Sequence, residues 1–410
     1  MLGILSRAKS KRVYPRQFWL LFWGVFANRA SFSMVWPFLT IYLTQEVGLA
    51  LVVVTLLISA RSFSSLFATL AVAPLMDRFG RRQGMIAGLV GSAVLFVAMA
   101  FARDLPVWLL IMVFHGIVMP LFNIGVYAMV ADTVEEASRA NAYALIRVVA
   151  NAGIAVGPIV GGFVILTSFS LVFILTAAVF VVLAALIYIF IAEQPRIIRQ
   201  PQQMAARGYS FLLRDRLFIG FIIALFFTEM ATTHMFTLLN VYVINEYGLL
   251  PSHYSLLVTI NAVMVVLFQV TVTRFTSRFA PFPVLAFGAL IYALGIFSVA
   301  LGSQFMHFAF SMVVVTVAEL VVSPTVLTLV ARIAPLDMRA RYMGVMELIY
   351  PVASGVGPVI GGYLSDYVAP VMIWVNAGFM TLIGAVIFGA MAFNGDKRLQ
   401  KGTKREEIAA

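Results

Sequence analysis

Gly157-Pro158-Ile159-Val160-Gly161-Gly162 lies inside a long apolar run and returns 200 residues later as Gly357-Pro358-Val359-Ile360-Gly361-Gly362. Proline interrupts helical hydrogen bonding, and glycine lets neighbouring backbones approach closely. In a membrane helix the stretch therefore marks a bendable, tightly packed segment. The same offset aligns Arg139-Ala140 with Arg339-Ala340, and residues 41–49 (IYLTQEVGL) with 241–249 (VYVINEYGL). One offset across separate segments makes the chain a duplicated unit. Two copies in register point to a symmetric machine whose halves pack through these helices.

The composition places that machine in a membrane. Of 410 residues, 62 % are hydrophobic and 11 % charged, against about 45–50 % apolar in soluble domains. The net charge of +11 does not indicate nucleic acid, because the basic residues cluster at the borders of apolar runs. No cysteine is present, which excludes disulfides and thiolate chemistry. No zinc-ligand spacing, phosphate-cradling loop or Ser/His/Asp arrangement occurs, so neither metal, cofactor nor enzymatic activity is expected. Without an ATP-binding segment, any driving force comes from ion or solute gradients. Met1 to Leu5 is too short an apolar run for a signal peptide.

A spanning helix needs about 20 apolar residues. Twelve such runs are visible, at 17–43, 49–76, 83–102, 107–130, 140–167, 170–192, 217–245, 253–276, 282–302, 305–330, 340–365 and 370–393. The expected fold is an all-α membrane protein of twelve transmembrane helices in two pseudo-symmetric six-helix halves. Its parts are a tail (1–16), a first bundle (17–192), a linker (193–216), a second bundle (217–393) and a C-terminal tail (394–410). Of the 28 Lys and Arg residues, 24 lie in the tails and the even-numbered loops, and Arg103 alone lies opposite. Both termini are therefore expected in the cytoplasm.

Six Arg and Glu residues fall inside predicted helices, away from the basic residues at their borders: Arg29, Arg61, Arg147, Glu229, Glu319 and Glu347. Each costs about 2.5–3.5 kcal/mol at mid-helix on insertion scales, so such groups face the protein interior or a wet cavity. Their charges sum to zero, which permits mutual pairing. Arg29 and Glu229 are repeat partners, as are Arg147 and Glu347. The latter two lie about 12 Å inside the border, where gating or structural pairing is expected. Arg61 is expected to pair with one of the acids. His115 and His234 could relay protons or serve as packing residues; His253 and His307 lie near the outer border.

The end of the second run, Asp77-Arg78-Phe79-Gly80-Arg81-Arg82, resembles the loop 2–3 motif of the major facilitator superfamily, Gly-x-x-x-Asp-Arg-x-Gly-Arg-Arg. The leading glycine is Ala73 here, and the second-half counterpart, Ser277-Arg278-Phe279-Ala280, lacks the acid. The resemblance covers the whole chain and implies a cytoplasmic latch in which Asp77 meets the free amides that start helix eleven, while the arginines pair with nearby acids. Gly153-x3-Gly157-Pro158-x2-Gly161-Gly162 is similar to the helix-five motif of drug/proton antiporters, and Glu319-x4-Pro324 resembles a helix-ten glutamate of some of them. The helix-four arginine of that family is Met112 here, so its role is absent or moved, with Arg29 as candidate.

The resemblance implies that helices one, four, seven and ten line a central cavity. Arg29 lies twelve residues into helix one, about 18 Å deep, and Glu229 equally deep in helix seven. These two and Glu319 are expected to converge as the substrate and proton site. Glu319 has no repeat partner of opposite charge, its counterpart being Met119, so it is the expected proton carrier. Met34, Phe38, Met119, Phe122, Phe226, Phe227, Met230, Met235 and Phe236 suit loose binding of apolar ligands. The expected function is proton-coupled efflux of lipophilic or cationic small molecules, by a monomer in a bacterial-type plasma membrane. The alternatives are uptake of a small anionic or sugar-like solute, with Arg29 holding a carboxylate, and a sensor that does not transport.

Overall fold

A backbone in lipid has no water to bond to, so each spanning segment must satisfy its own amides, and helices do this. The computed structural model describes residues 14–192, 210–335 and 338–409. The tail to residue 13 and most of the predicted linker lie outside them. The first half comprises α1 (Arg16–Ile41), continued by a π-helical turn (Tyr42–Glu46), then α2 (Leu51–Phe79), α3 (Arg81–Phe101), α4 (Leu105–Thr133), α5 (Glu136–Val164) and α6 (Phe169–Phe190). After the short α7 (Ser210–Arg214) come α8 (Arg216–Thr237), α9 (Leu239–Tyr247), α10 (Pro251–Thr276), α11 (Pro281–Ala300), α12 (Phe305–Ile333), α13 (Arg339–Glu347), α14 (Ile349–Tyr367) and α15 (Met372–Ala409).

Predicted helix seven is thus the pair α8–α9, and predicted helix eleven the pair α13–α14. The second break, at Leu348, has a local cause: Pro351 has no N–H to offer the carbonyl of Glu347 four residues back. Among the described residues, eleven spans are long and apolar enough to cross a membrane. The 26-residue α1 is the remaining one; Asn28, Arg29, Ser31 and Ser33 dilute its middle. Its packing gives it the same place as the others. α1 lies on α5 as α8 lies on α14, α2 on α4 as α10 on α12, and α3 on α6 as α11 on α15. Between the halves, α2 packs on α14 and α5 on α10, which are repeat images of each other.

The glycine motif explains how closely these helices meet. A Cβ on Gly157 would lie 2.0 Å from Ser33 Oγ and 2.3 Å from the Ala30 carbonyl, and one on Gly161 2.4 Å from the Met34 carbonyl. Gly153, one turn earlier, faces the Phe26 carbonyl at 2.7 Å. This row therefore seals α5 onto α1 within one half. Gly357 and Gly361 do the same for α14 on α8, against Met230, His234 and Leu238. Only the last glycine of each copy turns to the other half: Gly162 faces Ser255 of α10 and Gly362 faces Thr55 of α2. The halves do pack through the helices that carry this motif, with Gly162, the Pro158 carbonyl and Gly362 at the contacts between them. The prolines Pro158 and Pro358 lie inside their helices, and Ser255 Oγ donates to the Pro158 carbonyl at 2.7 Å.

The face opposite the chain ends is tied shut between the halves. Gln45 Nε2 donates to Asn245 Oδ1 at 2.8 Å, and Asn240 Nδ2 donates to Thr40 Oγ1 at 2.7 Å and to the Pro37 carbonyl. Thr40 Oγ1 lies 3.2 Å from the Thr237 carbonyl. The carboxylate of Asp366, near the end of α14, accepts from the Val52 N–H at the start of α2, at 2.7 Å. Toward the face with the chain ends, groups deep inside the helices keep free surface: Tyr127 is 45 % exposed and Tyr350 61 %, and Arg147 and Glu347 are exposed as well. The molecule is closed on one side and open on the other.

Candidate functional site

The platform under Arg29 is built by the α1–α5 seam. Gly153 packs against the Arg29 Cβ, while Ser33 Oγ donates to the Arg29 carbonyl at 2.7 Å and reaches the Gly153 carbonyl at 3.3 Å. The backbone is thereby fixed at this point, and the side chain is left over. Arg29 Nε is shielded from solvent without a hydrogen-bond partner, and no ion pair closes on Arg29 among the described residues. The hydroxyl groups of Tyr127 (α4) and Tyr350 (α14) lie within electrostatic range of it.

Arg61 on α2 is differently placed. Its Nε donates to His115 Nδ1 at 3.0 Å, and its guanidinium lies 4.0 Å from the Trp36 ring centroid and 5.6 Å from that of Phe32. His115 stacks on both of those rings. Gly116 admits α4 to this point, since a Cβ there would strike the Arg61 carbonyl at 2.3 Å. The expected acid partner is replaced by an imidazole and an indole, because the α2–α4 packing brings no carboxylate to Arg61. His115 accepts through Nδ1, so its proton is on Nε2.

The acids form the facing wall. Asn261 Nδ2 of α10 donates to Glu319 Oε2 at 2.7 Å and to Thr316 Oγ1 at 3.0 Å. Thr232 Oγ1 lies 3.2 Å from Glu229 Oε2. Glu229 is within Coulombic range of Glu319 and Glu347, and Tyr292 of α11 is within range of both Glu229 and Glu319. Tyr350 is the common neighbour of Glu229, Arg61 and Arg29. Glu229 and Glu319 thus lie in electrostatic range of each other without touching. The structure does not join Arg29 to Glu229 as an ion pair. The intramembrane charges are sorted by half, with Arg29, Arg61 and Arg147 in the first and Glu229, Glu319 and Glu347 in the second.

Other predicted residues are placed as follows. Arg147 and Glu347 are both exposed and form no ion pair among the described residues. Arg81 pairs with Asp132 of α4 and donates to the Ala128 carbonyl at 3.0 Å, while Arg82 reaches the Tyr188 carbonyl of α6 and stacks 4.9 Å over its ring. These two arginines bind helices of their own half. Gly80 has φ +102°, a conformation open to glycine, which lets the chain turn sharply from α2 into α3. The side chains of Asp77 and Arg78 lie outside the described residues. His234 Nδ1 bonds its own-helix carbonyl at Met230, 2.6 Å away, and packs on Gly361, so it is a seam residue. His253 and His307 accept from the N–H groups of Leu250 and Ser303 at helix starts. Of the nine Met and Phe residues proposed as a ligand surface, only Phe226, Phe227 and Phe236 keep appreciable free surface; the others are core. A separate apolar crevice of about 620 Å³ lies between α1 and α6, lined by residues such as Trp23, Ala27 and Val182, away from these charges.

Three neighbours of the site were not legible in the sequence. Asn261 is the repeat partner of Arg61, and that offset was its one available signal. Trp36 and Tyr350 look like any lipid-facing aromatic until the helices are packed.

The chain's relatives agree with this architecture. The Major Facilitator Superfamily pattern matches residues 21–250 and 222–409. The chain is 27 % identical over 371 residues to a Na(+), Li(+), K(+)/H(+) antiporter of Planococcus maritimus, covering 82 % of this chain and 86 % of that one. It is 25 % identical over 363 residues to the multidrug resistance protein MdtH of Yersinia enterocolitica, covering 87 % and 89 %. Among solved structures it resembles a bacterial homolog of the human lysosomal transporter Spinster in an inward-facing, occupied conformation, with a TM-score of 0.78 at 15 % identity, over 92 % of this chain and 96 % of that one. A mutant of the nucleoside transporter NupG superposes with a TM-score of 0.79 at 15 % identity, over 91 % and 99 %. With the family pattern spanning both halves, and a helical duplicate that carries charged groups inside its membrane-spanning part, the chain belongs to the major facilitator superfamily and is a transporter, not an enzyme.

Proposed function

We propose that this transporter is a proton-coupled exporter of lipophilic or cationic small molecules that works by alternating access. The observation that carries the reading is the pair Glu229 and Glu319: two carboxylates inside the membrane-spanning part, within electrostatic range of each other and without a basic counter-ion among the described residues. A proton and a cationic compound compete for that negative charge, which gives exchange without any further part. Glu319, held by Asn261 rather than by a cation, is the assigned proton carrier, and Glu229 is auxiliary. The names of the two relatives, one a multidrug resistance protein and one a cation/proton antiporter, agree with exchange against protons. Both termini are assigned to the cytoplasm of a bacterial-type plasma membrane, so the open side of the molecule faces inward.

The test is transport in proteoliposomes with an imposed proton gradient and a panel of lipophilic cations, sugars, organic acids and alkali cations. Gradient-driven movement of the lipophilic cations, lost in Glu319→Gln, is the expected result. Driven movement of only an organic acid, dependent on Arg29, would favour uptake of an anion instead. No driven flux of any compound would favour the sensor reading.

A further inference from the structure

The export reading leaves Arg29 without a task. A cationic compound bound at Glu229 and Glu319 would also meet the positive field of Arg29 and Arg61. An anionic compound would meet the two carboxylates. If the opposing charges served only to neutralise each other, the repeat partners Arg29 and Glu229 would close an ion pair, and they do not. Unpaired charges inside a membrane protein are costly and mark ligand or ion pathways.

The two arginines are not equivalent. Arg61 is occupied by His115 and by the faces of Trp36 and Phe32. Arg29 has its backbone held by Ser33 and the Gly153 contact, and its guanidinium donates no hydrogen bond among the described residues. A planar fork of donors left in this way matches a carboxylate or phosphate-like group. The ring of Tyr350 on α14 is 61 % exposed and within electrostatic range of Arg29, Arg61 and Glu229.

We propose that the transported compound is amphoteric: its cationic group is held by Glu229 and Glu319 in the second half, and its anionic group by Arg29 in the first. The ligand then bridges the two halves, and it pairs the charges that the protein itself leaves open. This assignment rests on the export reading and narrows it. It also explains why the arginines and glutamates are sorted by half, since a ligand pulling on both halves favours closure of the open side around it.

The test is a matched substrate series in proteoliposomes with an outward-driving proton gradient: a lipophilic amine, the same scaffold bearing an amine and a carboxylate, and the scaffold with the carboxylate alone. The amphoteric member should exceed the amine in kcat/KM by on the order of ten-fold, as expected for one charge-assisted hydrogen-bonded contact, and the acid should be the poorest. Arg29→Gln should bring the ratio of amphoteric to amine transport close to one, and Arg29→Lys should restore part of it. An amine carried as well as its amphoteric analogue by the wild type overturns the inference and leaves the export reading standing. A ratio unchanged in Arg29→Gln overturns the assignment of Arg29. If no member moves with the gradient, the export reading fails and the inference with it. The wild-type series decides the question even where the variant does not fold.

Discussion

At the scale of single residues, the acids and the glycines make opposite demands on their surroundings. Glu319 is held by one neutral donor, Asn261. Glu319→Gln fixes the protonated form in shape and charge, and should reduce gradient-driven export to the background of empty liposomes while downhill exchange of neutral compounds persists. Retained proton-driven export of every substrate would move the coupling role to Glu229. The glycines are tested by volume alone. A Cβ on Gly157 meets the Ala30 backbone carbonyl at 2.3 Å, whereas one on Gly344 meets nothing within 4 Å. Overpacking of this kind costs about 1–3 kcal/mol. Gly157→Ala should therefore lower the thermal midpoint in detergent by several degrees, with Gly344→Ala close to wild type. Equal midpoints would mean that the α1–α5 seam yields freely.

At the scale of elements, α2 and α14 run antiparallel between the halves, and an acid near the end of α14 meets the start of α2. Asp366, near the end of α14, accepts from the first turn of α2, where the N–H groups have no partner in their own helix and the helix dipole favours negative charge. Asp77, at the end of α2, has the mirrored place in sequence. Asp366→Asn keeps the shape and removes the charge, a change of about 0.3–1 kcal/mol. It should raise the population open on the face away from the chain ends by roughly two- to five-fold, because a contact present in one state only biases the equilibrium. The chain has no cysteine, so a single cysteine placed at Ser255, buried between the halves, reports that opening by its rate of alkylation. An unchanged rate would mean that the contact accompanies closure without stabilising it.

At the scale of the molecule, residues 200 apart touch across the pseudo-two-fold axis wherever the halves are closed: Gln45 with Asn245 and Thr40 with Asn240. The same operation relates Arg147 to Glu347, which are apart on the open side. In the opposite state these two should meet. A disulfide between cysteines at Gln45 and Asn245 should form readily and halt transport, whereas one between cysteines at Arg147 and Glu347 should form only when a substrate analogue or the proton gradient closes that side. Ready formation of the second bridge without ligand would contradict the assignment of the open side. Reporter fusions at both tails test the orientation, since 24 of the 28 basic residues predict cytoplasmic ends.

The sequence by itself determined the duplication, the helices and the likeness to a family, because these depend on local matters: apolar length, proline and glycine positions, and one constant offset. It also located the six intramembrane charges, since an ionisable residue inside an apolar run stands out without any structure. It could not assign their partners. Arg61 meets His115 and Trp36, and Glu319 meets Asn261, because the rotation of each helix about its axis decides which residues face each other, and that rotation follows from packing of the whole bundle. The glycine rows show the same division. Their spacing predicted close approach, but only the assembled halves decided that Gly157 and Gly161 seal one bundle while Gly162 alone crosses to the other. The absence of an ion pair between Arg29 and Glu229 is likewise tertiary: matched charges at matched depth permit a bond, and the distance between two helix bundles determines whether it forms.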